Sequence, residues 1–164
     1  MFYLDLFAAL ERERVRYLVV GGLALNILGV ERSTMDVDLM VALDADNVRA
    51  LIRAARELGL APVMPVAIDD LADPDQVAKW IREKNMVAFA LRPPLPADPT
   101  VDILVQPKVD FESAWRRRLD KDLGSLRVSL ASAQDLIAMK TGTGRQSDES
   151  DIAALQRLRE LGLE

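Results

Sequence analysis

One stretch constrains the fold of this chain more than any other: Tyr17-Leu-Val-Val-Gly-Gly-Leu-Ala-Leu-Asn-Ile-Leu-Gly29, followed shortly by Asp36-Val-Asp-Leu-Met-Val41. An apolar run of strand length ends in a glycine pair, a short helical pattern follows, and Asp36-Val37-Asp38 opens a second apolar run. Residues two apart in a strand face the same way, so Asp36 and Asp38 aim their carboxylates at one spot. Two like charges that close repel each other unless a cation neutralises them. An all-oxygen ligand set suits Mg²⁺, which commonly takes substrate phosphates as well. Gly21 and Gly22 let a phosphate approach bare backbone N–H groups where a helix begins. A phosphate cradle beside a metal clamp points to nucleotidyl transfer.

The rest of the chain alternates helix and strand. Residues 2–14 read as an amphipathic helix with Leu6 and Leu10 on its apolar side. Val15–Val20 is a strand, Gly21–Leu28 a helix turned off near Gly29, and Val37–Ala42 a strand. Asp44 caps a helix that stops at Gly59. Residues 60–68 hold two prolines and read as an edge strand or loop. Asp73-Pro74-Asp75-Gln76 is a helix start, with a capping Asp, Pro at the first helical position and Gln three residues after the cap. That helix runs to about Arg82. Met86–Leu91 is a strand, the proline-rich 92–99 a connection, and Thr100–Val105 a strand. Asp110 caps a helix through about Leu119, and Ser125–Val128 is a short strand. Ser132 caps a helix to about Thr141, Gly142-Thr-Gly144 breaks it, and Ser147 caps a last helix to Leu161. The pattern is α/β (α+β), with a mixed sheet flanked by helices. There is no repeat or clear linker, so 1–164 is expected to be a single domain whose C-terminal helices, from about 132, close one side.

The composition narrows the chemistry. With 164 residues, half of them apolar, the chain can bury a proper core. It contains no cysteine and no histidine. Disulfides and thiolate sites are thereby excluded, as is a Ser-His-Asp hydrolase, and acid–base work falls to carboxylates, lysines or tyrosines. The start does not read as a signal peptide and no apolar run has the length of a membrane span, so a cytoplasmic placement is expected. A net charge of −5 does not suggest a general nucleic-acid binder. Residues 106–145 are nevertheless basic, with 8 Lys and Arg against 5 Asp and Glu. The run Arg116-Arg117-Arg118 within that segment reads equally as a solvated helix face or as a nucleotide or RNA contact.

Asp102 sits within Thr-Val-Asp-Ile-Leu-Val, where an unpaired charge is costly to bury. It is the candidate third carboxylate beside Asp36 and Asp38. Thr34 precedes the acidic pair and either contacts phosphate or shapes the loop. Glu31 and Arg32 read as ordinary loop charges, and Asn26 is left outside the site. Lys140 projects from an apolar helix as a point charge suited to phosphate, and Arg145 follows the glycine break. Asp148 and Asp151 suit the first turn of the last helix. They are expected to orient Lys140 or Arg145 by ion pairing rather than to act in catalysis. If such a pair is exposed it contributes only about 0–1 kcal/mol, so truncating Lys140 is expected to leave metal-free stability nearly unchanged.

Gly21-Gly22, then Asp36-x-Asp38, then a lone Asp102 on a strand, resembles the DNA polymerase β-type nucleotidyltransferase superfamily. The string Arg32-Ser-Thr-Met-Asp-Val-Asp-Leu39, with Asp135-Leu-Ile-Ala-Met-Lys-Thr-Gly-Thr-Gly-Arg-Gln-Ser-Asp-Glu-Ser-Asp151, looks like its AbiEii-type abortive-infection branch. The resemblance implies the minimal nucleotidyltransferase fold and transfer of a nucleoside monophosphate from a nucleoside triphosphate to an acceptor hydroxyl on a tRNA end, a protein or a small molecule. It implies two Mg²⁺ or Mn²⁺ ions on Asp36, Asp38 and Asp102, with Asp102 activating the attacking hydroxyl. Gly21, Gly22, Thr34, Lys140 and Arg145 would bind the nucleotide. A toxin–antitoxin or phage-defence role, with an antitoxin or other partner protein, is the cellular setting it suggests. The alternative is a catalytically idle nucleotide-binding subunit working with a separate partner.

Overall fold

The computed structural model describes all residues, 1–164. Its elements are α1 (Phe2–Arg12), β1 (Tyr17–Val20), α2 (Gly21–Ile27), β2 (Asp36–Val41), α3 (Ala45–Glu57) and β3 (Ala61–Pro62). After a 3-10 turn at Ile68–Ala72 come α4 (Pro74–Lys84), β4 (Ala88–Arg92), β5 (Thr100–Leu104) and α5 (Phe111–Arg116). The chain ends with β6 (Leu119–Leu123), β7 (Leu126–Leu130), α6 (Ala133–Lys140) and α7 (Gln146–Glu160). The strands form one mixed sheet in the order β3-β4-β5-β2-β1-β7-β6. The α/β class expected from the sequence is the class observed.

Alternation along the central strands sorts their side chains between the two faces of the sheet. In β2, Val37, Leu39 and Val41 are buried on one face, while Asp36 and Asp38 lie on the other. In β5, Val101 and Ile103 go to the same core face, and Asp102 and Leu104 share the more open one. In β4, Phe89 and Leu91 are buried, while Ala88 and Ala90 are half-buried on the open face. The core face packs against α1 and α3, whose apolar stripes supply Leu6, Leu10, Val48, Leu51 and Ala55 to a continuous buried cluster. Asn47, at the start of α3, ties the sheet to that helix. Its Oδ1 accepts from Arg16 N at 2.8 Å, and its Nδ2 donates to the carbonyls of Arg16 (3.0 Å) and Ala42 (2.8 Å).

Capping signals in the sequence mark several helix starts. Asp44 accepts from Asn47 N, Asp73 from Asp75 N and Gln76 N, Asp110 from Ser113 N, and Ser132 from Asp135 N. Two expectations need correction. α5 ends at Arg116, and 119–123 is a strand rather than helix. There Leu119, Lys121 and Leu123 alternate with Asp120 and Asp122, a period of two, and Gly124 at φ +67° turns the chain into β7. The edge-strand or loop reading of 60–68 holds, since Ala61–Pro62 pairs at the sheet edge and the residues after it are loop. The last helix begins at Gln146, with Arg145 rather than Ser147 at its cap position.

Candidate functional site

β2 and β5 run parallel, with Asp38 directly opposite Asp102 and Asp36 opposite Thr100. Partners in register share a face, so the structure places Asp36, Asp38 and Asp102 on the same side of the sheet. β1 pairs antiparallel with β2 and sets Val20 opposite Asp38. The chain then turns at Gly21 into α2, so the glycine pair abuts the acidic strand. Gly21 has φ +66°, and a Cβ there would lie 2.2 Å from Asp38 Oδ2. A Cβ on Gly22 would lie 2.8 Å from Thr34 Oγ1 and 2.9 Å from Thr34 Cβ. Both glycines are needed for close approach, one to Asp38 and the other to Thr34. Gly21→Ala should therefore displace the Asp38 carboxylate and destabilise the fold by about 2 kcal/mol or more, since it combines left-handed backbone strain with a steric clash. Urea unfolding measures the effect, and a midpoint equal to that of the parent chain would contradict the close approach.

The acidic group carries unbalanced charge. Asp38 is pushed up to about 6, first by burial, then by the negative charges of Asp102 and Asp36, with Lys140 opposing. Asp102 is also raised, by burial and then by Asp36, while a hydrogen bond from Asp38 opposes the rise. In the metal-free protein both carboxylates thus resist ionisation, each for its burial and for the negative charge of its neighbours. A divalent cation at this position would offset that repulsion and bind the hard carboxylate oxygens, so the donor chemistry fits Mg²⁺ or Mn²⁺. The carboxylates do not already stand as a three-ligand shell. Asp36 is exposed, so its carboxylate has room to turn toward an ion held between Asp38 and Asp102.

A second set of charges sits across from the acids. Lys140, at the end of α6, is only 10% exposed, and its Nζ lies 2.9 Å from Asp151 and 3.3 Å from Asp148. Both acids are buried on the first turns of α7. Asp148 also accepts from Thr143 Oγ1 at 2.6 Å and from Arg145 Nε at 2.8 Å. Hydrogen bonds from Thr143 and Lys140 hold its carboxyl below the usual range although burial alone would raise it. Arg32 reaches across from the loop before β2 to pair with Asp151. The ion pairing expected of Asp148 and Asp151 is present, but the expectation that it would be exposed and weak is overturned. Lys140 is enclosed, because α6 and α7 pack together and shut the network between them.

Gly21, Gly22, Thr34, Asp36, Asp38, Lys140 and Arg145 line a single polar cleft of about 320 Å³. Asp102 does not line that cleft and meets it only through Asp38. Arg32 and Asn26, read from the sequence as a loop charge and a residue outside the site, both shape it. Arg32 lines the cleft. With its amide oriented to satisfy its neighbours, Asn26 donates to the carbonyls of Val30 (2.9 Å) and Arg32 (3.0 Å), pinning the loop that carries Arg32 and Thr34. The one signal for Asn26 was a polar residue within an otherwise apolar short helix. Arg32 opens the string that carries the resemblance, but its pairing with Asp151, 119 residues away, left no local trace.

The sequence finds no match among curated proteins. Among solved structures the chain is similar to an antigenic nucleotidyltransferase-like protein from Paracoccidioides brasiliensis, at 20% identity and a TM-score of 0.58, covering 93% of this chain and 72% of that one. It is similar to the lincosamide antibiotic adenylyltransferase LnuA in its lincomycin-bound form, at 16% identity and a TM-score of 0.58, covering 94% and 92%. It is also similar to the antibiotic-resistance factor ANT(2'')-Ia, at 16% identity and a TM-score of 0.51, covering 97% and 91%. At these identities the likeness is one of fold, and the fold is that of nucleotidyltransferases. These matches do not single out the abortive-infection branch that the sequence resembles. Over residues 2–164 the sequence matches the family described as "Nucleotidyltransferase of unknown function (DUF6036)". The chain, with its glycine turn set against an acidic strand, belongs to that nucleotidyltransferase family.

Proposed function

We propose that this chain transfers a nucleoside monophosphate from a nucleoside triphosphate to a hydroxyl of a small acceptor molecule. The observation that carries the reading is the register of Asp38 with Asp102, beside Asp36 and at the mouth of a cleft whose other wall holds Lys140 and Arg145. Asp36, Asp38 and Asp102 would hold one or two Mg²⁺ or Mn²⁺ ions, which when bound would neutralise charge on the phosphates and favour an ionised attacking oxygen. The chain's own groups do the positioning. The turn at Gly21 and Gly22, Thr34, Arg32, Lys140 and Arg145 would hold the polyphosphate. Asp102 would take the proton of the acceptor hydroxyl. The acceptor oxygen then bonds to the α-phosphorus, the bond from that phosphorus to the bridging oxygen breaks, and pyrophosphate leaves toward the cleft. Chemistry of this kind is mostly placement and charge stabilisation.

A small acceptor is favoured by the acidic net charge and by the similar folds that act on antibiotics. An RNA end or a protein acceptor, and with it the toxin–antitoxin setting, is decided by the same experiment. An idle nucleotide-binding subunit would have no use for a strained acidic cluster, which supports the catalytic reading. No helix is long and apolar enough to cross a membrane. The experiment is to incubate the protein with each labelled nucleoside triphosphate, Mg²⁺ or Mn²⁺, and in turn hydroxylated small molecules, total tRNA and a protein extract. Label should move to a small molecule with release of pyrophosphate, and Asp102→Asn should abolish the transfer. Transfer that persists in Asp102→Asn would refute its role. Label on tRNA or protein alone would refute the small acceptor.

A further inference from the structure

Behind the polar cleft lies a second one of about 580 Å³, between α6 and the open face of the sheet. Leu104, Met139 and Ala88 give it apolar walls, and Asn85 and Gln106 bring two side-chain amides to its lining. The two clefts share four residues: Gly21, Asp38, Lys140 and Arg145. A single ligand spanning both would set its negative charge against the shared Lys140 and Arg145 and a body with apolar faces against Leu104, Met139 and Ala88, with Lys108 also in the lining of the second cleft. Asp102 lines neither cleft. On the open face Asp102 lies between Asp38 and Ala90 of β4 and two residues before Leu104, so it adjoins the second cleft without lining it.

We infer that the second cleft holds the nucleoside half of the triphosphate, with the base between Leu104 and Met139 and its edge read by Gln106 and Asn85. This rests on the nucleotidyl-transfer reading and adds which wall selects the nucleotide. Gln106 is held for the task. Its Nε2 donates to the Met86 carbonyl at 2.9 Å, fixing the amide and leaving its oxygen without a protein donor. Asn85 closes α4 in the left-handed region at φ +47° and lines the cleft. An amide offers both a donor and an acceptor, the pairing that heterocyclic base edges present. The cleft's volume is in the range of small-molecule sites.

The test is calorimetric titration, in Mg²⁺, of the four ribonucleoside triphosphates and of inorganic tripolyphosphate. The wild-type chain should bind its preferred nucleoside triphosphate at least about tenfold tighter than tripolyphosphate, in keeping with burial of a base. Ala88→Phe, at a half-buried position on the open face, should fill the cleft and erase that advantage while leaving tripolyphosphate affinity within about twofold. Gln106→Ala, at an exposed position, should narrow the spread among the four nucleotides. Equal wild-type affinity for nucleotide and tripolyphosphate would overturn the cleft assignment but leave the transfer reading standing. So would unchanged nucleotide affinity and selectivity in both variants. A wild-type chain that binds neither ligand would overturn the transfer reading and this inference together.

Discussion

Lys140→Ala should lower the stability of the metal-free, nucleotide-free protein by about 2–4 kcal/mol, the scale expected when one partner leaves a buried ion-pair network. Lys140 is enclosed against Asp148 and Asp151, each of which is under a tenth exposed. Without its ammonium, Asp148 keeps Arg145 and Thr143, and Asp151 keeps only Arg32. A fall in melting temperature of about 5–10 °C is expected for a chain of this size. The double variant Lys140→Ala/Asp151→Asn should recover part of the loss, because it also removes the carboxylate left with the weakest support. Nucleotide affinity measured in that double variant then isolates any phosphate contact from the structural role. A single variant that melts within a degree of the parent chain would show that the network does not support the fold.

Asp38→Asn should do the opposite and stabilise the metal-free protein at pH 7.5 by on the order of 2–3 kcal/mol, while abolishing Mg²⁺-dependent nucleotide binding. The folded-state value of Asp38 is raised to about 6 from an ordinary 3.8. Its stabilising contribution is fully present below the unfolded value and is lost as pH rises through about 6. The stability difference between Asp38→Asn and the parent chain should therefore open between about pH 4 and 6.5 and stay constant above. Taking the difference cancels the carboxylates that titrate alike in both proteins. Mg²⁺ should raise the melting temperature of the parent chain and not that of the variant. A variant less stable than the parent in metal-free buffer, with Mg²⁺ binding intact, would remove Asp38 from the ligand set. A stability cost carried at a cluster of like charges is the usual mark of a site shaped for a ligand rather than for the fold.

The sequence by itself determined the local geometry of the site. Side chains two apart in a strand must share a face, so the pairing of Asp36 with Asp38 was legible, and so was the turn at Gly21. Capping residues such as Asp44, Asp73 and Ser132 act on N–H groups two or three positions away, so helix starts were legible too. The β6–β7 hairpin was missed because a capped start at Asp110 and a run of arginines favour continuing the helix locally. Only the pairing of Leu119–Leu123 with Leu126–Leu130 at the sheet edge outweighs that preference. What tertiary structure alone decided were contacts between elements distant in sequence. Strand order put Asp102 opposite Asp38, the fold brought Arg32 to Asp151, and the packing of α6 on α7 turned Lys140 from a surface charge into an enclosed one. The physical reason is that periodicity and capping depend on neighbours within a few residues. Burial, and with it the strength of a charge or the pKa of a carboxylate, depends on what the rest of the chain brings against that position.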